Sequence, residues 1–264
     1  MNLQNQLYFQ KPFPRTKTVN LNDFQFLVGN FKNVCDSIVS KLDKGRSDII
    51  LPCSLNDFSS AYKNPHLASA YRTVDIFTAD GMPVVWLLSF KLRLKIDRVY
   101  GPDLMRYILN KTQKHKYNHY FITSSHLVLN RLRDKITNLF PAINIKRMIV
   151  FKDKIPKLDD IDPYSIIWIG IGSPKQVEVA NQLRQRSSNS LIVCAGAAFE
   201  LVSNVKPNAP QWMKNSGLEW LFRLCIEPNR LWKRYLIEIP TFLLSVSFSF
   251  LLKRSRSICF WTHK

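Results

Sequence analysis

Acidic residues are scarce in this chain: 19 Asp and Glu stand against 38 Lys and Arg, a formal net charge of +19 over 264 residues. A surplus of that size draws polyanions, whether nucleic acid, a nucleotide diphosphate or an anionic lipid surface, and does not by itself choose among them. Cysteines are few, and Cys35, Cys53, Cys194, Cys225 and Cys259 are odd in number, widely spaced and without a Cys-X-X-Cys pair. That argues against a disulfide framework or a zinc site and for a reducing compartment. Cys53 and Cys194 sit in apolar runs and read as small buried hydrophobes. His66, His115, His119, His126 and His263 show no metal-ligand spacing. Neither a Gly-X-Gly-X-X-Gly fingerprint nor a P-loop ending in Gly-Lys-Ser/Thr is present. Long apolar runs are missing too. The stretch 241–252 is uncharged for only twelve residues, whereas a spanning helix needs about twenty. The opening residues, with Gln4, Asn5, Gln6 and Gln10, lack a long apolar core and cleavage site, so no signal peptide is expected.

What is present is a globular composition, 46% hydrophobic, in a chain long enough for one large domain with an appendage. Residues 1–19 are polar and punctuated by Pro12 and Pro14, which predicts a loosely attached arm. From there to about residue 205, apolar runs alternate with segments of three-and-four spacing, the pattern of an α/β core with a parallel sheet. Strands are expected at 48–53, 74–79, 117–123, 143–151, 164–170 and 191–195, and helices over 31–42, 58–70, 84–90, 126–139 and 179–185. The core divides into halves at 20–116 and 117–205, followed by a basic, helical appendage over 206–264.

Ligands of open parallel sheets gather where strands end, so the residues at those ends are the candidates. Ser54 and Asn56 follow the first long strand, and each is equally suited to cap the next helix. Asp80 precedes Gly81 at the end of the second; it reads either as a cap or as a carboxylate at the lip of the sheet, where glycine admits close approach. Arg98 is placed to hold an anion or to lower the pKa of Asp80. Gly172 and Gln176 follow the most apolar strand, and Gly196 and Glu200 the last. In the appendage Arg223, Arg230 and Arg234 recur at helical spacing with Lys233 beside them. Such a row suits a diphosphate through paired, charge-assisted hydrogen bonds, or else forms a basic face resting on lipid.

Four blocks occur in order: 79–86 (Ala-Asp-Gly-Met-Pro-Val-Val-Trp), 98–104 (Arg-Val-Tyr-Gly-Pro-Asp-Leu), 172–176 (Gly-Ser-Pro-Lys-Gln), and 195–200 continued by 217–230. Together they resemble the WecG/TagA/CpsF family, glycosyltransferase family 26, over about residues 54–234. Thr123-Ser124-Ser125 stands where that family carries glycines, Val177 where it places an acid after the Gln, and Glu200 where it favours Asp.

The resemblance implies a Rossmann-like core and an inverting, metal-independent hexosyltransferase without cofactor. It would pass an N-acetylmannosamine-like or related sugar from a UDP-sugar donor to an undecaprenyl-diphosphate-linked acceptor in cell-surface polysaccharide synthesis. Asp80 would be the general base, Arg98 its catalytic partner, and Ser54, Asn56, Gly172, Gln176, Gly196, Glu200, Arg223, Arg230, Lys233 and Arg234 would bind substrates. It further implies a cytoplasmic protein peripheral on the inner face of the cytoplasmic membrane, and a homo-oligomer is compatible with this. The stretch 241–252, whose alternating serines also leave a strand or an irregular tail open, is itself expected to dock at acidic headgroups with its flanking bases. Two alternatives stay open: a basic, non-enzymatic nucleic-acid-binding protein, for which no recognisable module is present, and an inactive family member serving as scaffold.

Overall fold

A computed structural model of the chain describes residues 15–21, 23–42, 47–115, 117–152, 161–187 and 189–252, with side chains as far as Ser245. Residues 1–14 of the arm expected over 1–19, together with Cys259, His263 and the bases Lys253, Arg254 and Arg256, lie outside the described residues. The end of that arm proves to be structured: Lys17–Leu21 is strand β1, paired antiparallel with β2, Phe24–Val28.

Six further strands are all parallel: β3 (Asp48–Cys53), β4 (Ile76–Ala79), β5 (Asn118–Thr123), β6 (Asn144–Val150), β7 (Ser165–Gly170) and β8 (Leu191–Cys194). The sheet runs β1-β2-β4-β3-β8-β7-β5-β6. Every residue of β3 and β7 is buried, as continuous apolar strands covered on both faces should be. At the far edge β6 carries exposed Lys146 and Arg147, charges that discourage pairing with another strand.

Alternate residues of each strand enter different cores. Ile49, Leu51, Ile167 and Ile169 pack with helices α2 (Leu55–Lys63), α3 (Pro65–Tyr71), α4 (Met82–Leu92) and α7 (Lys175–Arg184). Ile50, Ile166 and Trp168 pack on the other face with α1 (Phe31–Val39), α5 (Gly101–Thr112), α6 (His126–Leu139) and α8 (Ala198–Val202). The single helix expected over 58–70 is two. Pro65 cannot continue the first, and the Asn64 side chain restarts the second by accepting from the His66 backbone N–H at 2.9 Å.

His119 shows what a buried histidine does here. Its Nδ1 accepts from Trp168 Nε1 at 3.1 Å, so Nε2 carries the proton toward Thr112 Oγ1 at 3.2 Å. Burial lowers its pKa to about 3. Because the unfolded chain takes up this proton first, stability is expected to fall as pH drops from about 6.5 toward 3. In acid-titrated melts His119→Phe should flatten that decline; an unchanged slope would assign it to other groups.

Beyond residue 205 the chain forms α9 (Gln211–Asn215), α10 (Glu219–Ile226), α11 (Pro228–Lys233), a π-helical turn over Arg234–Glu238, and α12 (Ile239–Leu252). The last lies on α2, with Phe242 edge-on to Tyr62 at 5.5 Å. The segment 241–252 is helical. Among the described residues no helix is long and apolar enough to cross a membrane.

Candidate active site

The loops leaving β3, β4, β7 and β8 open on one edge of the sheet because the four strands are parallel. The Asp80 backbone N–H donates to the Cys53 carbonyl at 3.0 Å, which sets Asp80 beside Ser54. Gly81, not Asp80, holds the N-cap position of α4, and no side chain caps that helix. The alternative of Asp80 as a helix cap therefore fails, and its carboxylate turns elsewhere.

It turns to Arg98, whose Nε donates to the Asp80 carbonyl and whose Nη2 lies 3.4 Å from Asp80 Oδ1. The same Nη2 meets Glu219 Oε2 of α10 at 2.7 Å. Glu219 Oε1 in turn accepts from Tyr100 OH at 3.1 Å and from Arg223 Nη2. Arg98 also stacks on the Tyr100 ring, 4.2 Å from its centroid, with Lys214 5.1 Å from the same centroid. One carboxylate of the appendage thus ties together two guanidinium groups and a phenol next to Asp80.

The electrostatics follow from that packing. Burial pushes the Asp80 carboxyl up to about 6, with Glu219 adding to the rise; Arg98, Arg223 and a backbone hydrogen bond from Gly101 pull the other way. Burial also opposes the charge on Glu219, yet Arg223 and Arg98 hold it below the usual range. The site therefore contains an acid kept ionised and an acid poised near neutrality. Gly217 makes the docking possible. Its φ of +76° suits glycine, and a Cβ there would sit 2.8 Å from the Trp86 ring.

Gln176 is buried between the ends of β7 and β8. Its Oε1 accepts from the Gly196 N–H at 2.9 Å and its Nε2 donates to Ser173 Oγ at 2.9 Å. Gly172 adopts φ +86°, and a side chain there would meet nothing within 4 Å. Ser54 donates through its backbone N–H and its hydroxyl to Asp57 Oδ2 at 2.9 and 2.8 Å, and buried Tyr71 donates to the other oxygen at 3.1 Å. Ser54 thus opens α2, while Asn56 is half-buried in its first turn. In the loop after β5, Ser125 caps α6 by accepting from the Val128 N–H at 3.3 Å.

Glu200 forms a different link. Lys206 bridges it at 2.7 Å to Glu227 at 3.0 Å, and Glu227 holds Arg230. The arginines of the appendage do not share one helix face, as their spacing had suggested. Glu227, at φ −128° and ψ 59°, separates α10 from α11, because a residue before proline is pushed out of the helical region and Pro228 has no N–H to give. Arg223 consequently joins the Asp80 cluster. Arg230 and Lys233 lie on α11 and Arg234 in the π-helical turn.

Two members of the cluster carried no role in the sequence reading: Tyr100 and Glu219. The one available signal for the latter was its place four residues before Arg223. The sequence does contain one Asp-X-Asp triplet, Asp160-Ile161-Asp162. Asp160 lies outside the described residues. Asp162 accepts from Asn118 Nδ2 at 2.8 Å and Tyr120 OH at 3.1 Å, ahead of β7 and level with the start of β5. That is the sheet edge opposite Asp80.

The profile described as "Glycosyl transferase WecG/TagA/CpsF family" matches residues 19–256. The chain is 24% identical over 209 residues to an N-acetylglucosaminyldiphosphoundecaprenol N-acetyl-beta-D-mannosaminyltransferase of Bacillus spizizenii strain W23, covering 78% of this chain and 80% of that relative. A protein of the same name from Bacillus subtilis strain 168 is 26% identical over 196 residues, covering 71% of this chain and 74% of the relative.

Proposed function

Because this chain belongs to the WecG/TagA/CpsF family of glycosyl transferases, we propose that it moves an N-acetylmannosamine-type sugar from a UDP-sugar to a saccharide carried on undecaprenyl diphosphate. The relatives' names motivate the acceptor and the class of sugar. The transfer is direct and inverting, needs no divalent ion, and takes place at the inner face of the cytoplasmic membrane.

The observation that carries this reading is a carboxyl with a pKa of about 6 beside two guanidinium groups. A base poised near operating pH is what removal of a hydroxyl proton requires. Asp80 takes that proton as the acceptor oxygen bonds to the anomeric carbon. The anomeric carbon–phosphate oxygen bond breaks, and its electron pair leaves with UDP. Arg98 and Arg223 face the charge that grows on the leaving diphosphate, and a preorganised donor of this kind is worth about 3 kcal/mol. Gly172 and Gly196 leave backbone room for the nucleotide, with Gln176 fixing their loops. Ser54, Asn56 and Glu200 line the same edge, and Arg230, Lys233 and Arg234 supply the outer cations.

The test is transfer from a panel of UDP-sugars to a synthetic lipid-diphosphate acceptor, with NMR of the product. One UDP-N-acetylhexosamine should be used, chelator should leave the rate intact, and the new bond should have the opposite anomeric configuration. Absence of transfer from every donor would remove the proposal. Within the same assay, Arg223→Ala should weaken UDP binding and slow turnover together. Arg230→Ala, half-exposed and paired with Glu227, should act mainly on binding. Equal kinetics for both variants and the parent would assign these cations to the surface.

A further inference from the structure

Helix α4 starts two residues after Asp80 and reads Met-Pro-Val-Val-Trp-Leu-Leu-Ser-Phe-Lys-Leu. Val84, Val85 and Leu88 enter the core. On an ordinary surface helix the opposite side would be polar. Here it presents Trp86, Leu87 and Phe90, which are 53%, 42% and 79% exposed. Side chains three and four positions apart are neighbours on a helix, so Phe90 meets both Leu87 and Trp86 and the three form one patch, of a kind that soluble surfaces seldom leave uncovered. No acid occurs between Asp80 and Asp97, whereas Lys91, Arg93 and Lys95 follow the patch and are exposed. Lys91 reaches the Asn20 carbonyl at 3.1 Å. The patch does not stop at the helix: the close approach of Gly217 to Trp86 carries it onto the appendage, where Trp212 is 63% exposed.

We propose that α4 docks on an anionic bilayer, laying Trp86, Leu87 and Phe90 among the headgroups while Lys91, Arg93 and Lys95 meet lipid phosphates. Exposed aromatics bordered by cations and free of acids are what interfacial binding rewards. A second copy of a chain with a net charge of +19 would present like charge to this rim. The docking has a mechanistic consequence that rests on the lipid-linked acceptor proposed above. From Met82 to Phe90 the helix rises about 12 Å, so the loop bearing Asp80 is held close to the headgroup layer, where a membrane-anchored diphosphate presents its saccharide. The same element that follows the base sets its height above the lipid.

Flotation of the full chain with phosphatidylcholine vesicles, with and without phosphatidylglycerol, tests this. Leu87→Gln/Phe90→Gln keeps the C-terminal tail intact and should lower partition into anionic vesicles by about tenfold or more, since each apolar side chain withdrawn removes about that much. Arg93→Glu/Lys95→Glu should abolish the preference for phosphatidylglycerol. Circular dichroism and thermal melts should match the parent, since all four residues lie on the surface. If the first variant floats like the parent, the proposal fails. It fails equally if sedimentation velocity shows self-association that this variant destroys while vesicle binding persists, which would make the patch a contact between copies. Loss of vesicle binding in a chain that transfers no sugar from any donor would leave the docking standing and overturn the proposed reaction instead.

Discussion

Asp80→Asn should lower turnover by about 100- to 10,000-fold, the range for loss of a positioned general base, while UDP binding stays near the parent value. The parent's rate should rise with pH through about 6, where Asp80 gives up its proton, and level off above. The variant should also be the more stable protein at neutral pH. The folded carboxyl titrates near 6 rather than 3.8, so the native state holds the proton more tightly than the unfolded chain. Stability from this group is therefore full below about 3.8 and is lost as pH rises toward 6. A displacement of that size corresponds to about 3 kcal/mol, and asparagine relieves it. Steady-state kinetics with differential scanning calorimetry at pH 7.5 would read both effects. Retained activity would take Asp80 out of the mechanism. A lowered melting temperature would mean that its ion pair with Arg98 outweighs its burial.

The second large effect is expected at Glu219. Glu219→Ala strips Arg98, Arg223 and Tyr100 of their common partner, and breaking a buried pair in this way costs about 3 kcal/mol or more. The appendage should loosen, visible as faster amide exchange through α10, and activity should fall with it. Glu219→Gln separates position from charge. It keeps a hydrogen-bonding side chain of the same length but removes the negative charge that helps to raise the Asp80 carboxyl. The acid limb of the pH–rate profile should therefore move to lower pH. A purely structural role would leave that limb in place, and an unmoved limb with normal kcat would show that Glu219 acts on the fold alone.

These effects trace to Arg98, which links Asp80 to Glu219, and that link explains what could be read in advance. The parallel sheet was legible because β3, β7 and β8 are short apolar runs that end in small or polar residues. Burial on both faces forces that pattern, so the ends at Cys53, Ala79, Gly170 and Cys194 fell close to where they were expected. The division at Asn64-Pro65 was also available in the local chemistry, though the apolar spacing of 58–70 masked it. By contrast β1 had no such signal: Lys17–Leu21 alternates exposed and buried residues at the sheet's margin, and its pairing comes from a turn rather than from its own composition. The appendage misled for a related reason. Spacing of seven and four between arginines describes a helix only while the backbone stays helical, and Glu227-Pro228 ends that.

What the amino-acid order determined by itself was the class of fold, the family and the one carboxylate at the end of the second parallel strand, since periodicity and short motifs are local properties. Whether Asp80 caps a helix or faces a charged partner was a tertiary decision. So was the choice of Arg223, among four cations, as the one brought beside it by pairing with Glu219. The second depends on Gly217 letting the appendage lie against Trp86, which brings Glu219 across a separation of 121 residues to Arg98. The pKa of a buried carboxyl depends on what surrounds it in space, and no spacing along the chain contains that information.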